Sequence, residues 1–169
     1  MSKMVLETER LFLREITADD FDDLLAIWSD AETMRFYPAT LDDQGMLEWI
    51  ERNLKRYEQS GHGLWAVILK SDGKFVGDCG LTIQEVDGVE ELEVGYQFNK
   101  NHWGQGVGAE AARGCLDYAF NQLSRRRIIS MIRLENIPSR RVAERNGLKI
   151  EKELFWRGFQ HFVYAIERE

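Results

Sequence analysis

Apolar residues recur along the chain with two periods, and the switches between them outline the fold. In RLFLREI (10–16), Leu11 and Leu13 recur at every second position between flanking charges, the period of a half-buried strand. TADDFDDLLAIWSD then changes to helical spacing through Phe21, Leu24, Leu25 and Trp28, with Thr17 as N-cap. Residues 42–59 repeat that spacing through Met46, Trp49, Ile50, Leu54 and Tyr57, and Gly61 and Gly63 end it. LWAVILK, KFVGDCGLTIQEV and EELEVGYQFN read as three strands separated by SDG and VDG turns, hence an antiparallel meander. The clearest helix follows at 109–123, with Ala112, Cys115, Leu116, Ala119, Phe120 and Leu123 on one face. RRIISMIRL is a strand and SRRVAERNG a short helix closed by Gly147. LKIEKELFW and QHFVYAIER form a closing hairpin. The predicted order is β-α-α-β-β-β-α-β-α-β-β, a mixed α/β (α+β) sheet of about seven strands. With no repeat, low-complexity tract or Pro/Ser-rich linker, residues 1–169 read as a single domain.

Between the last meander strand and the helix lies NKNHWGQGVGAEA, in which Gly104, Gly106 and Gly108 alternate with Gln105 and Val107. A strand, a glycine turn and a helix start together present bare main-chain N–H groups, reinforced by the helix dipole. Side chains would obstruct an anion there, so the loop is expected to wrap a diphosphate. The P-loop pattern is absent, which excludes Mg-nucleotide chemistry of that type. GQGVGA does satisfy the dinucleotide fingerprint, and Arg125–Arg127 could read a 2′-phosphate. However, the preceding strand alternates, unlike a buried parallel strand, and only about 60 residues follow the loop, too few for a doubly wound fold. A plain tight turn is the remaining reading.

Composition narrows the function classes. Net charge is −7, which disfavours a nucleic-acid-binding face and suits a cationic substrate such as an amine. Nothing reads as a secretory signal or a membrane span, so a cytoplasmic location without membrane association is expected. Cys79 and Cys115 form no CxxC pair, and the histidines at 62, 102 and 161 share no ligand spacing, so no metal is expected.

Three segments, LETERLFLREITADDFDDLLAIWSD, EVGYQFNKNHWGQGVGAEA and NIPSRRVAERNGLKIEKE, occur in an order that resembles the GNAT superfamily of acyl-CoA-dependent N-acetyltransferases. The resemblance spans nearly the whole chain. Trp103 matches the branch that acetylates ribosomal-protein N-termini, the Rim type. It implies the GNAT fold, with a V-shaped split between strands 4 and 5 of the seven and the pantetheine arm of acetyl-CoA inside it. Gln97, Phe98 and Asn99 would partner that arm. Trp103, Gly104, Gln105, Gly106, Val107, Gly108 and Ala109 would hold the pyrophosphate. Asn136 would contact pantetheine, and Ser139 could serve the sulfur or simply cap its helix.

For catalysis, the resemblance puts Glu93 at the position of a base, acting directly or through water; solvent-facing Glu90 and Glu91 show the plainer alternative. A main-chain N–H near Gly95–Gln97, at a glycine-permitted bulge, would meet developing oxyanion charge. The tyrosine that many relatives place near the sulfur is replaced by Ala143. Of the candidate acceptor walls, Phe36 and Tyr37 fall between helices, whereas the spacing of Trp28 and Trp49 marks them as core. Cys115 reads as core, and Cys79 has no histidine near it in sequence. The expected function is direct acetyl transfer to a primary amine, either a protein N-terminus or a small molecule, by a monomer or homodimer. The alternatives are a non-catalytic CoA-binding or regulatory module and an NADP-binding protein.

Overall fold

The computed structural model describes residues 2–169. Its strands are β1 (Met4–Glu7), β2 (Leu11–Glu15), β3 (Leu64–Leu69), β4 (Phe75–Val86), β5 (Val89–Phe98), β6 (Arg127–Arg133), β7 (Lys149–Trp156) and β8 (Phe159–Glu167). The helices are α1 (Phe21–Trp28), α2 (Asp43–Ser60), α3 (Val107–Asn121) and α4 (Ile137–Arg145). All eight strands join one sheet, ordered β1-β2-β3-β4-β5-β6-β8-β7. The expected element order holds with one addition. β1 has four residues and an irregular register on β2, too short for alternation to reveal it.

Helix ends follow local chemistry. Thr17 caps a 3-10 turn at Ala18–Asp20 that runs into α1, and the Asp20 carboxylate accepts from Thr17 N–H at 2.9 Å. Asp42 caps α2 by accepting from Gly45 N–H at 2.8 Å. α4 begins earlier than the spacing suggests. Asn136, not Ser139, is its N-cap, and Asn136 Oδ1 accepts from Ser139 N–H at 3.3 Å.

Strand alternation sends neighbouring residues to opposite layers. Trp65 and Val67 join Leu11, Leu13, Leu81 and Val94 beneath α3 and α4, while Ala66 joins Ile16, Leu24, Met46 and Trp49 beneath α1 and α2. Cys79 and Cys115 lie together in the α3 layer, sulfurs 3.6 Å apart and fully buried, which makes both packing residues.

Only β5 and β6 run parallel, and they share a single register pair, Glu93↔Ile129. β6 pairs along its length with β8, from Arg127↔Glu167 to Arg133↔His161, while β5 stays on β4. Beyond Glu93 and Ile129 the two strands part, and the sheet opens as a wedge. The otherwise antiparallel sheet rules out a doubly wound dinucleotide fold.

Candidate active site

Glu93 stands at the apex of the wedge. Its Oε2 accepts from Met131 N–H on β6 at 2.7 Å, just past the last shared pair. Burial pushes this carboxyl up to about 7, against the pull of the Met131 amide, Arg157, Gln84 and Arg56. A carboxyl poised there gains and loses its proton at neutral pH. Farther up, the Ser130 hydroxyl donates to Val94 O at 3.1 Å and the Tyr96 hydroxyl to Ser139 O at 3.0 Å.

The ladder decides which main-chain groups face the opening. Asn99 N–H donates to Val76 O at 2.9 Å, and Gln97 stands opposite Asp78. In an antiparallel pair these alternate residues turn their N–H and C=O toward the partner strand. Gln97 and the Asn99 N–H therefore address β4, and Asn99 C=O accepts from His102 N–H, while Tyr96 and Phe98 address the gap. This corrects the expected main-chain roles of Gln97 and Asn99. The Gln97 side chain is buried against Met34, its Nε2 3.2 Å from the Met34 sulfur, and Asn99 caps the 3-10 turn at Lys100–His102. Phe98 O also accepts from Trp103 Nε1 at 3.0 Å, which fastens the glycine loop to the strand end. The expected bulge near Gly95–Gln97 is absent, since β4 and β5 keep one register from Val86↔Val89 to Gly77↔Phe98.

Two of the three loop glycines are there for backbone conformation. Gly104 and Gly106 have φ of 76° and 78°, in the left-handed region. Gly108 does not; a Cβ on it would rest 3.5 Å from Phe98. Gly106 is the N-cap of α3 and offers no side chain, so the first-turn amides from Val107 to Ala109 are uncapped by any side chain. A pyrophosphate fits such a cradle. Arg10, between β1 and β2, braces the loop. Its guanidinium donates to Gln105 O at 2.9 Å and to Glu110 Oε2 at 2.6 Å. That brace joins positions about 100 residues apart, beyond reach of local pattern. Arg127 is instead consumed by Glu91, Glu151 and Glu167, so it reads no phosphate.

On the α1–α2 side the wedge opens into a cavity of about 690 Å³. Glu93, Tyr96, Asn136, Ser139, Phe36 and Tyr37 all line it, uniting residues far apart in the chain. Ser139 meets Tyr96 twice, its carbonyl accepting from the Tyr96 hydroxyl and its side chain hydrogen-bonding with it. Trp28 and Trp49 serve both core and cavity wall, with ring centroids 5.3 Å apart. Trp156 and Phe159, flanking the β7–β8 turn, close the far side.

The charged walls have no counterpart in the sequence pattern. Asp78 is 1% exposed; its Oδ2 accepts from Trp28 Nε1 at 2.9 Å, and Oδ1 has no partner among the described residues. Burial raises this carboxyl to about 7 despite the Trp28 hydrogen bond. Asp78 sits within FVGDCGL, a run whose alternation marks a strand but whose polar member gives no sign of pointing into a cavity. Arg52, Arg56, Arg133 and Arg157 also line the space. Arg133 stacks over the Phe159 ring at 3.8 Å and pairs with Glu135.

Among the described residues, no helix is long and apolar enough to cross a membrane, and no cluster of three or more His, Cys, Asp and Glu could hold a metal.

Comparison with known proteins agrees with this architecture. Residues 10–149 match the model of the acetyltransferase (GNAT) domain family. The chain is 34% identical to the Bacillus subtilis protein YkkB over 154 residues, covering 90% of each. An acetyltransferase of the GNAT family from Bacillus anthracis superposes with a TM-score of 0.82 at 25% identity, over 99% of this chain and 98% of that one. RimJ of Mycobacterium smegmatis, solved with a CoA disulfide, shares the fold with a TM-score of 0.75 at 24% identity, over 93% of this chain and 81% of that one.

Proposed function

The chain belongs to the GNAT acetyltransferase family, and from that premise we propose that it transfers an acetyl group from acetyl-CoA directly to a primary amine. Acetyl-CoA supplies the acyl group activated as a thioester. The residues fit it: the amides of Val107, Gly108 and Ala109, with the loop from Trp103 through Gln105 and Gly106, would take the pyrophosphate. Tyr96 and Phe98 would offer main-chain groups to the pantetheine from one arm of the wedge, and Asn136 its side chain from the other.

Glu93 acts as the base. Its carboxylate takes a proton from the incoming ammonium, directly or through one water, and leaves a neutral amine able to attack. Tyr96 N–H, the gap-facing amide within Gly95–Gln97, meets negative charge that develops on the carbonyl oxygen. Ser139, beside Tyr96 on the cavity wall, returns a proton toward the leaving sulfur through its hydroxyl or an ordered water. Phe36 and Tyr37 contact the acceptor.

The observation that carries this reading is Glu93 itself: a carboxyl near neutrality, held where the cofactor wedge meets the acceptor cavity. Thiol release from acetyl-CoA across a panel of amines, with wild type and Glu93→Gln, tests it. CoA binding without turnover on any amine would instead favour the non-catalytic module, for which buried Ala143 in place of a tyrosine is the supporting feature.

A further inference from the structure

The acceptor cavity has a floor of two carboxyls and a rim of three arginines, and none of these five groups forms a salt bridge among the described residues. On the floor, Asp78 Oδ1 is sealed from solvent and unpartnered, while Oδ2 is held by Trp28. A buried carboxylate oxygen with no donor is costly unless a ligand supplies one. Glu93 is the second carboxyl on this floor, and the charges of both reach the Tyr37 hydroxyl.

At the rim, Arg52 and Arg56 project from successive turns of α2, and Arg157 comes from the β7–β8 turn. None of the three makes an ion pair among the described residues, although the chain has 29 acidic residues against 22 basic ones. They crowd one another: after burial, the charges of Arg52 and Arg157 are what most disfavour the Arg56 cation. Arg157 also occupies a two-residue hairpin turn at φ 50°, ahead of Gly158 at 85°. Such turns favour Asn, Asp or Gly, so an arginine there gives up conformational free energy to place its guanidinium over the Trp156 ring, 4.2 Å away. The rim and floor are near neighbours, since Arg56 and Arg157 both act on the Glu93 carboxyl.

We infer that the acceptor is a small zwitterion of the amino-acid class, its ammonium held at Asp78 and Glu93 and its carboxylate bound by Arg52, Arg56 and Arg157. This rests on the acetyl-transfer reading above and narrows it. A polyamine would meet three unpaired guanidinium groups at the rim. A protein N-terminus with neutral side chains would leave those groups without an anion. A carboxylate a few bonds from the amine satisfies them by paired N–H···O bonds.

The test is thiol release from acetyl-CoA with the twenty protein amino acids and several ω-amino acids, each beside its carboxamide, together with spermidine and a neutral N-terminal peptide. At least one amino acid is expected to exceed its carboxamide at least tenfold in kcat/KM. The double variant R56M/R157M should erase that preference by raising KM for the acid, whereas Lys55→Met, exposed on the same helix, should preserve it. Asp78→Asn should raise KM for acid and carboxamide alike. Thermal melting and CoA binding establish that each variant is folded. A kcat/KM for carboxamides, spermidine or the peptide that equals or exceeds that of every acid overturns the inference and leaves acetyl transfer standing. Failure of every amine, with CoA bound, overturns the transfer reading and the inference with it.

Discussion

Across the opening between β5 and β6, the Tyr96 hydroxyl donates to the Ser139 carbonyl at 3.0 Å. It is the tie between one arm of the wedge and the helix that forms the other. The opening exists because β5 and β6 share only the Glu93↔Ile129 pair, so its width depends on such cross-links. Tyr96→Phe should lower stability by about 1 kcal/mol, the net worth of one hydrogen bond. It should also raise KM for acetyl-CoA severalfold with little change in kcat. Denaturant unfolding and steady-state kinetics measure the two effects; an unaltered KM would mean the tie does not set the slot.

Replacing Glu93 by Gln retains the acceptor for Met131 N–H and removes the carboxylate proposed as the base. The expected loss in kcat is on the order of 10²- to 10⁴-fold, with CoA affinity retained. Because the carboxyl is raised to about 7 and must be ionised to work, wild-type kcat/KM for the amine should climb with pH and level off above 7. The variant should lose that inflection. A wild-type profile flat from about pH 6 to 8 would exclude Glu93 as the titrating base.

Much of this was legible in sequence, and the exceptions share a cause. Alternation and capping residues are local, so seven of eight strands and all four helices follow from them; β1 escapes because four residues cannot show a period. The glycine loop announces itself through composition. Asp78 does not, because a polar residue in a strand reads the same whether it faces solvent or a cavity. Arg10 bracing Gln105 and Glu110, and arginines from α2 meeting one from the β7–β8 turn, arise only when distant segments are brought together. Net charge is silent on local sign for the same reason. A total of −7 suits a cationic group such as an amine, but it does not reveal that arginines gather at the rim of the cavity.

Asp78 predicts an unusual stability profile. Its folded pKa, about 7, lies above the value near 3.9 expected when unfolded. The protonated folded form is therefore favoured: its stabilisation is complete below about pH 4 and lost as pH rises through 7. The gap between the folded and unfolded values caps the contribution of this one group at about 4 kcal/mol. The melting temperature of the ligand-free protein should fall from about pH 5 to pH 8. Asp78→Asn should flatten the decline, leaving the part due to Glu93, whose carboxyl is raised in the same direction. Parallel melting curves for wild type and variant would show that Asp78 does not titrate in this range.

The loop glycines should separate by conformation. Gly106 sits at φ 78°, so Gly106→Ala forces a Cβ into the left-handed region at about 1 kcal/mol or more. The loop can escape that strain only by rotating its N–H groups away from their common focus, so CoA affinity should drop at least tenfold. Gly108 has ordinary helical geometry, and its added Cβ would meet the Phe98 ring at 3.5 Å, a normal contact on the sheet side. Gly108→Ala should therefore melt no lower than wild type, since alanine suits a helix better than glycine by up to about 1 kcal/mol. It should also keep CoA affinity within about twofold. Isothermal titration of CoA into both variants distinguishes them. Equal losses would mean that side-chain bulk, not backbone direction, controls the anion site, and the uncapped amides of α3 would then lose their assigned role.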